Sequence, residues 1–327
     1  MPLITRITTT LLLACVGVSA VQRAAPPTEL WVFASPWDAR SDSSLRVNAA
    51  RIDVAVTGWI GIDSVTAQPI IPALFPDTMR LGARALKRMA IVTSWHGDRF
   101  HPSTVRALAR DDAKLARAAS AIASHAASMR YAGLVLDLEA LERADLPGLL
   151  RVVKAIADSA HKRGVAQIIV AIPAADSAYP AKAIVGVADF VMPMLYDQHW
   201  STSTPGPIAE PSWVRAALAA RVAEVGASRI VAALPTYGYR WTKPGASAEP
   251  VSFAEAKRFA SQSRVALARD ARSNTLRAVK PGEWEIWVTD AELLAALERE
   301  SIAAGVQRVA LWRISQEDPG IWRALGR

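Results

Sequence analysis

The chain has 327 residues, 51% of them hydrophobic, enough for one large buried core or two smaller ones. Its 38 Lys and Arg exceed its 30 Asp and Glu, for a net charge of +8. The cations are mostly arginines spread through Ala-rich helical segments such as "RALARDDAKLARAAS" (106–120), with acids between them. That is a solvated helical surface rather than the cationic run with interleaved aromatics of a nucleic-acid face, and no nucleic-acid partner is expected.

In chain order, the first element is an export signal. Arg6 supplies a positive start, "ITTTLLLACVGVSA" (7–20) a short apolar core, and "VSA" (18–20) a small-residue cleavage site. Residues 1–20 are therefore expected to be a signal peptide, 21–28 a linker, and 29–327 the folded part of a secreted or periplasmic protein. "LLAC" (12–15) offers a second reading, a lipoprotein anchored through Cys15. The apolar run is too short for a membrane span, and no later segment is long and apolar enough for one. Cys15 is the only cysteine. A chain cut after Ala20 would have no disulfide, thiol nucleophile or thiolate metal site.

Eight apolar runs follow: "ELWVFA" (29–34), "IDVAVTGWIGI" (52–62), "MAIVTSW" (89–95) and "YAGLVLDLE" (131–139), then "AQIIVAIP" (166–173), "DFVMPMLYD" (189–197), "RIVAALPTYGY" (229–239) and "RVALWRI" (308–314). Amphipathic helices lie between them. "LPGLLRVVKAIADSAHKRG" (146–164) ends on two cations and a glycine, as a helix terminus should. Continuous apolar strands separated by helices indicate a parallel sheet covered on both faces. Eight such units in this length predict the α/β class and a closed (β/α)8 TIM barrel in a single domain. The mixed stretch 242–285 is expected to be an insertion between strands seven and eight. No G-x-G-x-x-G or G-x-x-x-x-G-K-[ST] motif is present, and no cofactor is expected.

A barrel of this kind carries its chemistry at the carboxyl ends of its strands. In the fourth strand, Val135, Asp137 and Glu139 share one face while Leu134, Leu136 and Leu138 share the other. The two acids lie roughly 6–7 Å apart at Cβ, given the strand rise. Asp197 ends the sixth strand beside Tyr196. Trp37, Trp59, Trp95, Trp200, Trp241 and Trp312 fall at or just after strand ends, where indole faces make platforms for sugar rings. Trp31, Trp322 and also Trp59 fit an ordinary core. "YGYRW" (237–241) adds Tyr237 to the candidate contacts, and "YDQHW" (196–200) adds His199. The five histidines form no H-E-x-x-H or H-x-H pair, so no metal site is expected. The absence of G-x-S-x-G disfavours a serine esterase.

These residues resemble glycoside hydrolase family 18. "YAGLVLDLE" is similar to its strand-four signature D-x-x-D-x-D-x-E, "MLYD" (194–197) to its strand-six motif, and "ALW" (310–312) to the strand-eight tryptophan under the sugar. "YDQHWSTSTPGPIAEPSW", "PTYGYRW", "EIWVTD" and "LWRISQEDPGIW" resemble a bacterial branch often fused to polysaccharide deacetylase and glycosyltransferase modules. The first two signature aspartates are replaced by Ala132 and Val135. In the family the second of them hydrogen-bonds the third, so its loss bears on how Asp137 is held.

The resemblance implies a glycosidase acting on β-linked N-acetylglucosamine in a polysaccharide or oligosaccharide, by substrate-assisted retaining catalysis. Glu139 would be the proton donor and Asp137 would orient the acetamide. Tyr196 would bond the acetamide oxygen, and Asp197 would bond a sugar hydroxyl or tune the acid. Trp312 would floor the site, and Trp37, Trp95, His199, Trp200, Tyr237 and Trp241 are substrate-binding candidates. The chain is expected to act as a monomer. The rival reading is a chitinase-like sugar-binding protein of the cell envelope without turnover, and a scaffold at the envelope is a third.

Overall fold

The computed structural model describes residues 29–70, 86–242 and 247–327. The expected signal peptide (1–20), linker (21–28) and Cys15 lie outside the described residues.

Eight parallel strands form the centre: β1 (Glu29–Ala34), β2 (Val54–Ile62), β3 (Lys87–Thr93), β4 (Gly133–Asp137), β5 (Gln167–Pro173), β6 (Phe190–Met194), β7 (Ala232–Pro235) and β8 (Arg308–Ile314). Each pairs with its neighbours in sequence order. β1 pairs with both β2 and β8, with Trp31 beside Val54 and Glu29 beside Arg308, so the sheet closes into a barrel. The expected (β/α)8 barrel is the observed fold. Its thinnest seam is β6–β7, joined at Ala233–Met194 and by a bridge between Val191 and Ile230.

The alternation in each strand divides the apolar residues into two cores. Leu134, Leu136 and Leu138 face outward into the layer between barrel and helices, with Leu149, Val152, Val153 and Ile156 of the helix Leu146–His161. Val135 faces inward with Trp31, Ile91, Ile169 and Met192 in the barrel interior. Trp31 and Trp322 are both buried, in the inner and outer cores respectively. Local signals set the helix limits. Asp111 caps Asp112–Ser128 by accepting the Lys114 N–H, Pro102 opens Pro102–Arg110, and Pro211–Val225 stops at Gly226 with φ 77°.

Between β7 and β8 lies the expected insertion, a five-stranded antiparallel sheet with the helix Phe253–Gln262. It begins earlier than residue 242. β7 ends at Pro235, and Thr236 is tied to β8 by its N–H to the Trp312 carbonyl at 3.0 Å. The chain then turns away as Gly238–Trp241, which pairs antiparallel with Trp284–Val288. Gly238 permits that approach, because a Cβ there would lie 2.1 Å from the Trp287 carbonyl oxygen. The run 229–239 is thus two strands of two different sheets.

Candidate active site

A cavity of about 720 Å³ opens at the carboxyl ends of the barrel strands. Asp137, Glu139, Tyr196, Asp197, Tyr237, Trp312, Trp37 and Trp95 all line it, drawn from six strands or the segments that follow them. Val135, below Asp137, contributes to its floor.

Asp137 is held from β3. The two strands run in register with Thr93 beside Asp137, and the Thr93 hydroxyl donates to Asp137 Oδ2 at 3.0 Å. Thr93 is fully buried, and its own oxygen accepts the Trp95 N–H at 3.0 Å. The hydroxyl thus orients Asp137 where Val135 offers no polar group. The Glu139 carboxyl lies close enough to Asp137 for the two to interact directly.

Beyond β4 the chain is clamped by Tyr179. Its hydroxyl donates to the Leu138 carbonyl at 3.2 Å and accepts the Leu141 N–H at 3.0 Å. Glu139 sits between these two anchors.

Burial drives the electrostatics. It pushes Glu139 well above the usual carboxylate range, and the neighbouring Asp137 and Asp197 push it further. Burial also raises Asp137, but its contacts with Glu139 and the Thr93 hydroxyl oppose that shift. Of the two, Glu139 is therefore the acid whose protonated form is favoured more strongly. Asp197 is raised by burial and steadied by Tyr237, whose hydroxyl donates to it, and by the neighbouring Tyr239. The Tyr196 hydroxyl is pushed well above its ordinary value by burial and the surrounding carboxylates, so it stays a donor.

Aromatic rings form the walls. Phe33 packs edge-on against Trp312 with centroids 5.2 Å apart, Trp37 against Trp59 at 4.6 Å, and Trp95 against Phe100 at 5.0 Å. Trp37 is 60% exposed and Trp95 41%, so both rings keep surface open to a ligand. Trp59, which also fitted an ordinary core in the sequence, is a cavity wall.

Three candidates lie elsewhere. His199 packs on Gly206 and its Nδ1 bonds the Thr204 carbonyl at 2.9 Å, within its own loop. Trp200 is exposed outside the cavity, with Nε1 donating to Thr202 at 2.8 Å. Trp241 is buried, donates to the Ser203 carbonyl at 3.0 Å, and borders a separate cavity of about 490 Å³ in the insertion. All three follow the point where their strands leave the barrel. Conversely, Thr93, Tyr239, Tyr179 and Arg313 belong to the site or support it and were not singled out. Thr93 had one available signal, its place at the end of a barrel strand.

Fold and site together define a (β/α)8 barrel protein with a buried acid pair at the end of its fourth strand. The comparisons with known proteins agree. The chitinase of Chromobacterium violaceum superposes with a TM-score of 0.81 at 20% identity, covering 91% of this chain and 98% of that one. The Bacillus cereus spore cortex-lytic enzyme SleL superposes at 0.80 and 17% identity, covering 92% of this chain and 74% of that one. In sequence, the uncharacterized glycosylase YvbX of Bacillus subtilis is 21% identical over 209 residues, 60% of each protein. The match thus spans less than two thirds of that relative. No protein-family profile matches the chain.

Proposed function

We propose that the protein is an exported glycosidase hydrolysing a polysaccharide that contains β-linked N-acetylglucosamine, by substrate-assisted retaining catalysis. The observation that carries this reading is the buried acid pair, Glu139 against Asp137 with its protonated form favoured by burial and by that neighbour, in a cavity walled by aromatic rings. The names of the similar proteins, chitinase, cortex-lytic enzyme and glycosylase, support the same class of bond.

In this mechanism Glu139 donates its proton to the glycosidic oxygen as the bond to the anomeric carbon breaks. The substrate's own acetamide oxygen forms the new bond to that carbon, giving an oxazolinium ion. Asp137 accepts the acetamide N–H and balances the positive charge. Tyr196 donates to the acetamide oxygen, and Trp312 supports the sugar face. Water then opens the ring with Glu139 as base, so no enzyme carboxylate becomes covalently attached.

Digestion of chitin, poly-β-1,6-N-acetylglucosamine and peptidoglycan, with mass spectrometry of the products and NMR of the first-formed anomer, tests this. The expected result is an N-acetylglucosamine-terminated product with retained β configuration from at least one polymer. An inverted product overturns the mechanism. Binding without any product overturns turnover and leaves a sugar-binding protein. The export signal read in residues 1–20 supports the setting, and mass spectrometry of the exported chain should find a terminus at Val21. A lipid-modified Cys15 would replace that with membrane anchoring.

A further inference from the structure

Arg313 follows Trp312 on β8, the strand four places around the barrel from β4 and so opposite the acid pair. Among the described residues it is the only Lys or Arg lining the cavity, whose acids are Asp137, Glu139, Asp176 and Asp197. Its guanidinium is half-buried. Nη1 donates to Ser35 Oγ, and Cζ sits 5.6 Å from the centre of the exposed Trp37 ring. No described carboxylate pairs with it. The acid that acts on it, Asp38, is already taken by two nitrogens of Arg40, at 3.0 and 2.9 Å.

Most of the Arg313 donors are left free toward the cavity. A guanidinium carries five N–H donors in a planar fork, and here one of them has a partner. Burial pushes its ordinary value down, the direction expected of a cation drawn out of water without a counter-ion. Ser35 and the Trp37 ring fix its orientation, so the fork is preorganised for a planar anion. An unsubstituted N-acetylglucosamine chain offers only hydroxyls and amides, and needs no cation there.

We propose that Arg313 is a specificity-determining residue that binds a carboxylate carried by the substrate chain, so that the preferred ligand is an acidic N-acetylglucosamine-containing glycan. This rests on the glycosidase reading above, since it concerns the same cavity. The carboxylate comes either from a lactyl ether on a hexosamine or from a uronic acid ring. Either would accept two parallel N–H bonds from the free edge of the fork.

The test is a binding measurement, independent of turnover. Isothermal titration in the Glu139→Gln background compares Arg313 with Arg313→Gln and Arg313→Lys. The four tetrasaccharide probes are chitotetraose, an N-acetylglucosamine–N-acetylmuramic acid repeat, the same repeat with its carboxylates amidated, and an N-acetylglucosamine–glucuronate repeat. Arg313→Gln should weaken binding of a carboxylate probe by about tenfold or more and leave chitotetraose and the amidated probe within about twofold. Arg313→Lys should restore part of the loss. The arm that shows the loss assigns lactyl or ring carboxylate. Equal weakening of all four probes would reduce Arg313 to a packing partner of Trp37 and overturn the proposal. Unchanged affinities throughout would overturn it too. Failure of the glycosidase reading shows separately, as absence of product from wild-type protein that still binds.

Discussion

Two acid sites face the same cavity and are built in opposite ways. At the end of β6, Asp197 stands without a second carboxyl in hydrogen-bond contact, receives the Tyr237 hydroxyl and has the Tyr239 phenol beside it. At the end of β4, Glu139 receives no such donors and instead has Asp137 against it. Burial raises both acids, but the phenols favour the ionised form of Asp197 while the neighbouring charge favours the protonated form of Glu139. The difference fits the proposed division of work, with Asp197 holding charge and orientation and Glu139 holding a proton.

The largest effect should come from removing that proton. Glu139→Gln keeps the shape but cannot donate, so turnover of a cleaved polymer should fall by roughly 10² or more while oligosaccharide affinity stays near wild type. The corresponding Asp197→Asn should cost much less, because its hydroxyl partners can still bond an amide. Steady-state kinetics on one soluble oligosaccharide measures both. Equal losses would erase the distinction between the two sites.

The donors themselves sharpen it. Thr93→Val deletes the side-chain hydroxyl that holds Asp137 from β3. A hydrogen bond to a charged group is worth about 1.5–3 kcal/mol, so kcat should drop roughly tenfold or more, with Thr93→Ser recovering most of it. Tyr237→Phe leaves Asp197 with Tyr239, and its loss should be only about two- to fivefold. If Tyr237→Phe proves the more damaging, Asp197 and not the β4 pair sets the rate.

The two sites were not equally visible in the sequence. The alternation through Leu134, Val135, Leu136, Asp137, Leu138 and Glu139 already separates a packing face from a polar one, and the barrel rule places that polar face at the mouth. All eight barrel strands were legible for the same reason, as apolar runs between amphipathic helices. Thr93 was not, because its link to Asp137 depends on the register of two strands 44 residues apart. His199, Trp200 and Trp241 looked equivalent to Trp37 and Trp95, all following strand ends. What separated them was the path after the strand, and at Pro235 the chain leaves the barrel for another sheet. Arg313 sits in a strand that otherwise reads as core, and only closure of β8 against β1 sets it over Trp37.

The smallest effect should appear in stability rather than rate. Because Glu139 is raised in the folded protein, folding takes up a proton wherever the unfolded side chain, with an ordinary value of 4.5, is already ionised. Stability therefore falls as pH rises from about 4.5 through the folded value, and below 4.5 both states are protonated and the contribution is constant. Glutamine has no charge to desolvate, so Glu139→Gln should lose this contribution and depend less steeply on pH across that window, with Asp137 and Asp197 still contributing. Thermal unfolding of both proteins from pH 4 to pH 8 should give coincident midpoints at the acid end. At the alkaline end the glutamine variant should melt roughly 1–2 °C higher, the shift produced by about 1 kcal/mol in a domain of this size. Asp197→Asn, whose acid is steadied by two phenols, should open a smaller gap over the same range. A variant at position 139 that is less stable than wild type at pH 8 would mean that Glu139 is ionised in the folded state and cannot be the resting proton donor.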